Sequence, residues 1–106
     1  MIKEIATITV IQGEKTEFER VLHNIAVYLD GAQHCTQYVL TRGISSEETH
    51  SMPNRHSSIL SCEWDSREHR ALAWNYFSRL FAMAELEIHV ALVEQSAEKL
   101  EFSKSA

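Results

Sequence analysis

The segment Ile2–Ile11 constrains the fold most. Its residues alternate loosely, with Ala6, Ile8 and Val10 on one face and Ile5, Thr7, Thr9 and Ile11 on the other. A side-chain period of two makes this a strand with two partly apolar faces. Such a strand wants a helix over one face and another apolar layer over the other. A chain of 106 residues buries about two thirds of its unfolded surface. One domain spanning residues 1–106, with a modest core, is therefore expected.

The following segments supply the cover. Gly13 interrupts the strand, and EKTEFERVLHNIAVYLDG places Phe18, Val21, Leu22, Ile25 and Leu29 at helical spacing. Thr16 with Glu19 has the form of a capping box, Glu14 and Glu17 offer an earlier start, and Gly31 is the expected left-handed stop. A second strand, QHCTQYVLTRG, sets His34, Tyr38 and Leu40 against Cys35, Val39 and Thr41. The polar run ISSEETHSMPNRHS reads as a mobile hairpin loop whose His50 and His56 belong to its polarity. The third strand, SSILSCEW, puts Leu60, Cys62 and Trp64 on one face and Ile59, Ser61 and Glu63 on the other. Asp65 or Ser66 is placed to cap the next helix. From Phe77, the residues Phe77, Leu80, Phe81, Ala84, Ile88, Ala91 and Leu92 keep helical spacing beside a second stripe of Met83, Leu86, Val90 and Val93. This predicts a long helix reaching Gln95. AEKLEFSKS then alternates Leu100 and Phe102 against Lys99 and Glu101, and is expected to close the chain as a strand.

The order β-α-β-β-α-β is that of the α+β ferredoxin-like fold, an antiparallel four-stranded sheet with two helices on one face. The other sheet face, with side chains such as Ile5, Ile11 and Val39, is an association site unless covered. A homodimer that packs the two sheets face to face covers it.

Composition narrows the partners. Lys and Arg number 10 against 15 Asp and Glu, a net charge of −5, and the basic residues are scattered. Nucleic acid is an unsuitable partner for such a surface. No basic, then continuously apolar leader opens the chain, and no stretch reaches the roughly twenty apolar residues of a membrane span. A soluble, cytoplasmic protein without membrane contact is expected. The two cysteines, Cys35 and Cys62, lack metal-ligand spacing, and the six histidines are dispersed. No metal site is expected, and the thiols are expected reduced, with a redox-sensitive pair across the β-hairpin as the alternative.

LSCEWDSREHRAL, an apolar run followed by Glu, Trp, a polar residue and Ser before a helix, resembles the antibiotic biosynthesis monooxygenase (ABM) family of the dimeric α+β barrel superfamily. ITVIQGEKTEFERVL is similar to that family's first strand and helix, and the order of elements agrees over nearly the whole chain. The Ser-rich loop between the second and third strands departs from the family pattern. Haem-degrading members have an Asn on the first strand, a Trp on the second helix and a His beyond it. Here Thr7 and Thr9 occupy the strand, and SRLFAMAEL follows Trp74 without a histidine, which disfavours haem.

The resemblance implies a monooxygenase that needs no cofactor and oxidises a small aromatic or quinone-type metabolite with dioxygen. Its protein would supply positioning, desolvation and proton management. Trp64 is then either a wall for an aromatic ring or a core residue, and Trp74 and Tyr76 either flank the slot or simply pack. His69 either moves a proton, histidine being the side chain that titrates near neutrality, or is a surface or capping residue. Tyr38 either bonds a substrate oxygen or is a core or interface aromatic. Ser61 is a further candidate contact. His89 is expected to face a partner or solvent rather than take part in catalysis. The competing reading is a dimeric domain of the same fold that binds a small molecule or serves a structural role without catalysis.

Overall fold

In a computed structural model, which describes residues 1–45 and 56–96, the alternation of the first strand decides its two faces. Strand β1 (Ile2–Gln12) buries Ile2, Glu4, Ala6, Ile8 and Val10, while Ile5 and Ile11 stay exposed. Helix α1 (Lys15–Gly31) follows, then β2 (Cys35–Ser45), β3 (His56–Trp64), α2 (Arg67–Met83) and β4 (Glu87–Ser96). The strands form one antiparallel sheet in the order β2-β3-β1-β4. The β-α-β-β-α-β ferredoxin-like topology read from the sequence is the one observed.

Helix α1 buries Phe18, Val21, Leu22, Ile25 and Leu29, the stripe its spacing predicts. Its ends differ from expectation. Glu14 is the N-cap without a side-chain cap bond, so Thr16 and Glu19 form no capping box. Gly31 lies inside the helix at negative φ, and Ala32 ends it in an extended conformation, its N–H bonded to the Leu29 carbonyl. The chain can leave the helix along β2 without a left-handed residue, so none is needed. The positive φ falls instead on Gly13, at +138°, in the turn between β1 and α1. A side chain there would meet Leu86. Ser66 caps α2, accepting from the His69 backbone N–H.

The largest departure is at the C-terminal end. The predicted long helix stops at Met83, and Glu87–Ser96 is the fourth strand. Its pairing with β1 sets Ile88, Val90 and Leu92 beside Val10, Ile8 and Ala6. The run satisfies both periods, since Ile88, Ala91 and Leu92 are helically spaced while Ile88, Val90 and Leu92 alternate. The free edge of β1 settles the choice by offering a complete ladder of hydrogen bonds to β-branched residues. AEKLEFSKS, expected as the closing strand, and most of the expected loop, with His50, lie outside the described residues. His56 opens β3 instead of belonging to a loop.

Trp64, Phe18 and Phe77 are the largest fully buried side chains. The core lies wholly between the sheet and the helices. The opposite face carries Ile5, Val39, Ile59 and Val93, between 38% and 62% exposed in the isolated chain.

Candidate functional site

Strand register builds the site. Tyr38 pairs with Cys62, Cys62 with Glu4, and Glu4 with Glu94. Paired antiparallel residues share a face, so one polar row crosses all four strands. Burial of Glu4 and Cys62 puts that row on the helix-covered side. A register shift between Cys35 and Gln37 turns Cys35 toward the core as well, although three positions separate it from Tyr38.

At the centre of the row is Glu4, 1% exposed. Its Oε2 accepts the indole N–H of Trp64 at 2.9 Å and that of Trp74 at 2.8 Å. Its Oε1 accepts from Arg70 Nε at 2.5 Å. Arg70 also pairs with Glu94 at 3.2 Å, and Arg67 reaches the same carboxylate at 3.3 Å. Two carboxylates against two guanidiniums leave the cluster neutral, the condition under which burying a carboxylate is tolerable. Arg70 and Trp74 lie four residues apart on α2, hence on one helix face.

Aromatic rings pack beside this cluster. Phe77 meets Trp74 edge-on at 5.2 Å and Tyr28 at 5.6 Å, and Tyr28 stacks on Tyr76 at 4.9 Å. The arrangement joins α1 to α2 and sets an aromatic cluster beside the charged one.

The structure thus brings Trp64 and Trp74 together and sets Tyr38 in the same row. The Tyr38 hydroxyl donates to Asp30 at 2.5 Å. His69 is exposed at the start of α2, its ring stacked on His34 at 3.7 Å and its Nδ1 2.8 Å from Ser66 Oγ. His34 Nδ1 in turn lies 2.8 Å from Asp65. Ser61 lies on the open sheet face, three residues and hence opposite in parity from Trp64. His89 lies on that face too, paired with Thr9. Glu4 and Arg70 were not singled out from the sequence. The available signal was an acidic residue in phase with Ile2, Ala6, Ile8 and Val10.

Cys62 is buried and Cys35 partly so, and both thiols are free. Burial pushes both above the ordinary thiol range, with the neighbouring thiol and the Glu4 charge adding to the effect at Cys62. Among the described residues, no three His, Cys, Asp or Glu side chains gather as a metal site. No described helix is long and apolar enough to cross a membrane. A surface groove of about 480 Å³ lies at the other end of the sheet, lined by Gly13, Glu14, Glu17, Arg20, Met83 and Glu85. It shares no residue with the tryptophan cluster.

No protein-family profile matches the chain, and no curated protein matches it. Solved structures do. An antibiotic biosynthesis monooxygenase superposes with a TM-score of 0.59 at 17% identity, covering 91% of this chain and 99% of that one. PA3566 from Pseudomonas aeruginosa gives 0.59 at 20% identity, with 91% and 94% covered. SnoaB, a cofactor-independent oxygenase from Streptomyces nogalater, gives 0.50 at 16% identity, with 91% and 96% covered. At these identities the likeness is one of architecture: this chain has the fold of the antibiotic biosynthesis monooxygenases.

Proposed function

We propose that the protein is a cofactor-independent monooxygenase that oxidises a small aromatic or quinone-type metabolite and works as a homodimer. The observation that carries this reading is the pair of tryptophans converging on the helix-covered side of the sheet, beside packed aromatic rings and a cluster of balanced charge. In the proposed reaction the substrate first loses a proton from a phenolic or activated ring position. The electron-rich anion then reacts with dioxygen, one oxygen atom enters the ring carbon as a carbonyl, and the other leaves as water with two substrate hydrogens. Trp74, partly buried, offers the stacking surface with the buried Trp64 behind it, Tyr38 offers a hydroxyl in the same row, and His69 handles protons at the rim. Ser61, on the open sheet face, takes no part in it. A ring held between fixed aromatic planes and shielded from water has its anion and dioxygen brought together without solvent reorganisation.

The exposed apolar sheet face supports the dimer in this proposal, since face-to-face packing of two copies hides Ile5, Val39, Ile59 and Val93 from water.

The test is dioxygen uptake with a panel of anthrones and hydroquinones, comparing the native protein with Trp64→Phe and His69→Ala. Uptake by the native protein, reduced about tenfold or more in each variant, is the expected result. No uptake across the panel, or uptake unchanged in both variants, overturns the proposal. A second reading, a dimeric domain that binds a small molecule without catalysis, is favoured by one observation. Both indole N–H groups and the Tyr38 hydroxyl are already bonded within the chain. Quenching of tryptophan fluorescence by a panel compound without oxygen uptake would select it.

A further inference from the structure

We propose that Glu4 is the positioning residue of this site, holding Trp64 and Trp74 through one carboxylate so that the two indoles act as a single preorganised unit. Only its catalytic consequence rests on the oxygenase reading; the coupling is a property of the free protein.

Glu4 occupies a position whose phase on β1 is otherwise apolar, between Ile2 and Ala6. An ionised side chain is retained in such a place only where donors compensate its lost hydration. The donors here come from two different elements, Trp64 at the end of β3 and Trp74 with Arg70 on α2. One atom, Oε2, takes both indole N–H groups, so the mutual orientation of the two rings is set by a single oxygen. Arg70 fixes the other oxygen and is itself held by Glu94, which removes the carboxylate's freedom to turn. With both N–H groups directed at Glu4, the partly buried Trp74 is the indole that can offer π surface to a ligand, backed by the fully buried Trp64. A residue acting this way governs how a ring sits relative to dioxygen more than how tightly it binds.

The chain contains two tryptophans, so its ¹H–¹⁵N spectrum has two indole N–H signals. Both are expected downfield and slow to exchange with solvent. Glu4→Gln should move both signals and speed exchange at both, and Trp74→Phe should move the signal of Trp64. With a compound that supports oxygen uptake, Glu4→Gln should lower kcat about tenfold while KM stays within about threefold. Indole signals unmoved in Glu4→Gln, or a Trp64 signal indifferent to Trp74→Phe, overturns the proposal. Should Glu4→Gln fail to fold, Trp74→Phe decides, since Trp74 is only partly buried. A native protein that consumes no oxygen removes the oxygenase reading and leaves the indole signals to decide the coupling.

Discussion

Placing a charge on the open sheet face should separate the proposed dimer without unfolding the chain. Ile5 is the suitable position, because β1 is an interior strand and Ile5 sits between Ser61 and Val93 in the ladder. Its side chain is 38% exposed in the isolated chain, so Ile5→Asp removes little from the core. The monomer should lose no more than about 1 kcal/mol, the span of strand propensities. In a face-to-face dimer the same aspartate is buried without a partner, at a cost of roughly 3 kcal/mol or more. Two-fold symmetry makes the substitution occur twice in one interface, doubling this to roughly 6 kcal/mol. At about 1.4 kcal/mol per decade, the dissociation constant rises about 10,000-fold. Light scattering coupled to size-exclusion chromatography at micromolar protein reads the outcome. The native chain should elute as a dimer, Ile5→Asp as a folded monomer, and Ile5→Thr, which keeps β-branching without charge, near the native position. A native chain that is monomeric, or an Ile5→Asp dimer of unchanged affinity, refutes the sheet-to-sheet packing.

Other perturbations bear on the core and the site. Glu4→Leu leaves the buried Trp64 N–H without an acceptor and should destabilise by about 1–3 kcal/mol. Adding Trp64→Phe to Glu4→Leu removes that orphaned donor, so chemical denaturation should show the pair costing less than the sum of the two single changes. Phe77→Ala empties the junction of Tyr28, Trp74 and Tyr76 and should cost about 3–5 kcal/mol, read as a lower urea midpoint. Ser66→Ala deletes the cap of α2 and should cost about 1 kcal/mol. Cys62 gives a pH dependence whose sign follows from burial. Its thiol is raised from an ordinary value of 9.0, so above that pH the unfolded chain releases a proton that the native chain retains. Stability is therefore full below pH 9 and falls as pH rises, by at most about 1.4 kcal/mol per unit. A urea midpoint that drops between pH 8.5 and 10.5, and drops less in Cys62→Ala, is the expected observation.

The sequence by itself determined the buried face of α1, the first three strands and the order of elements. Phe18 to Leu29 can bury one side only as a helix, and Ile2 to Val10 only as a strand. It also marked Trp64 and Trp74 as candidates, since large aromatic residues at a strand end and on the following helix must meet something. Tertiary structure decided what local pattern leaves degenerate. Glu87–Ser96 fits helical and strand periods alike, and the edge of β1 selects the strand because pairing there satisfies the backbone groups of both segments and sets Ile88 and Val90 against the core. The role of Glu4 was equally beyond the pattern. A lone acid in an apolar phase reads as an error in alternation until register places it against Cys62 and Glu94 and packing of α2 brings Arg70 and Trp74 over it. Periodicity reports which side of an element is dry; which charges and donors converge there depends on contacts such as that between Glu4 and Trp74, 70 positions apart, and those exist only in the folded chain.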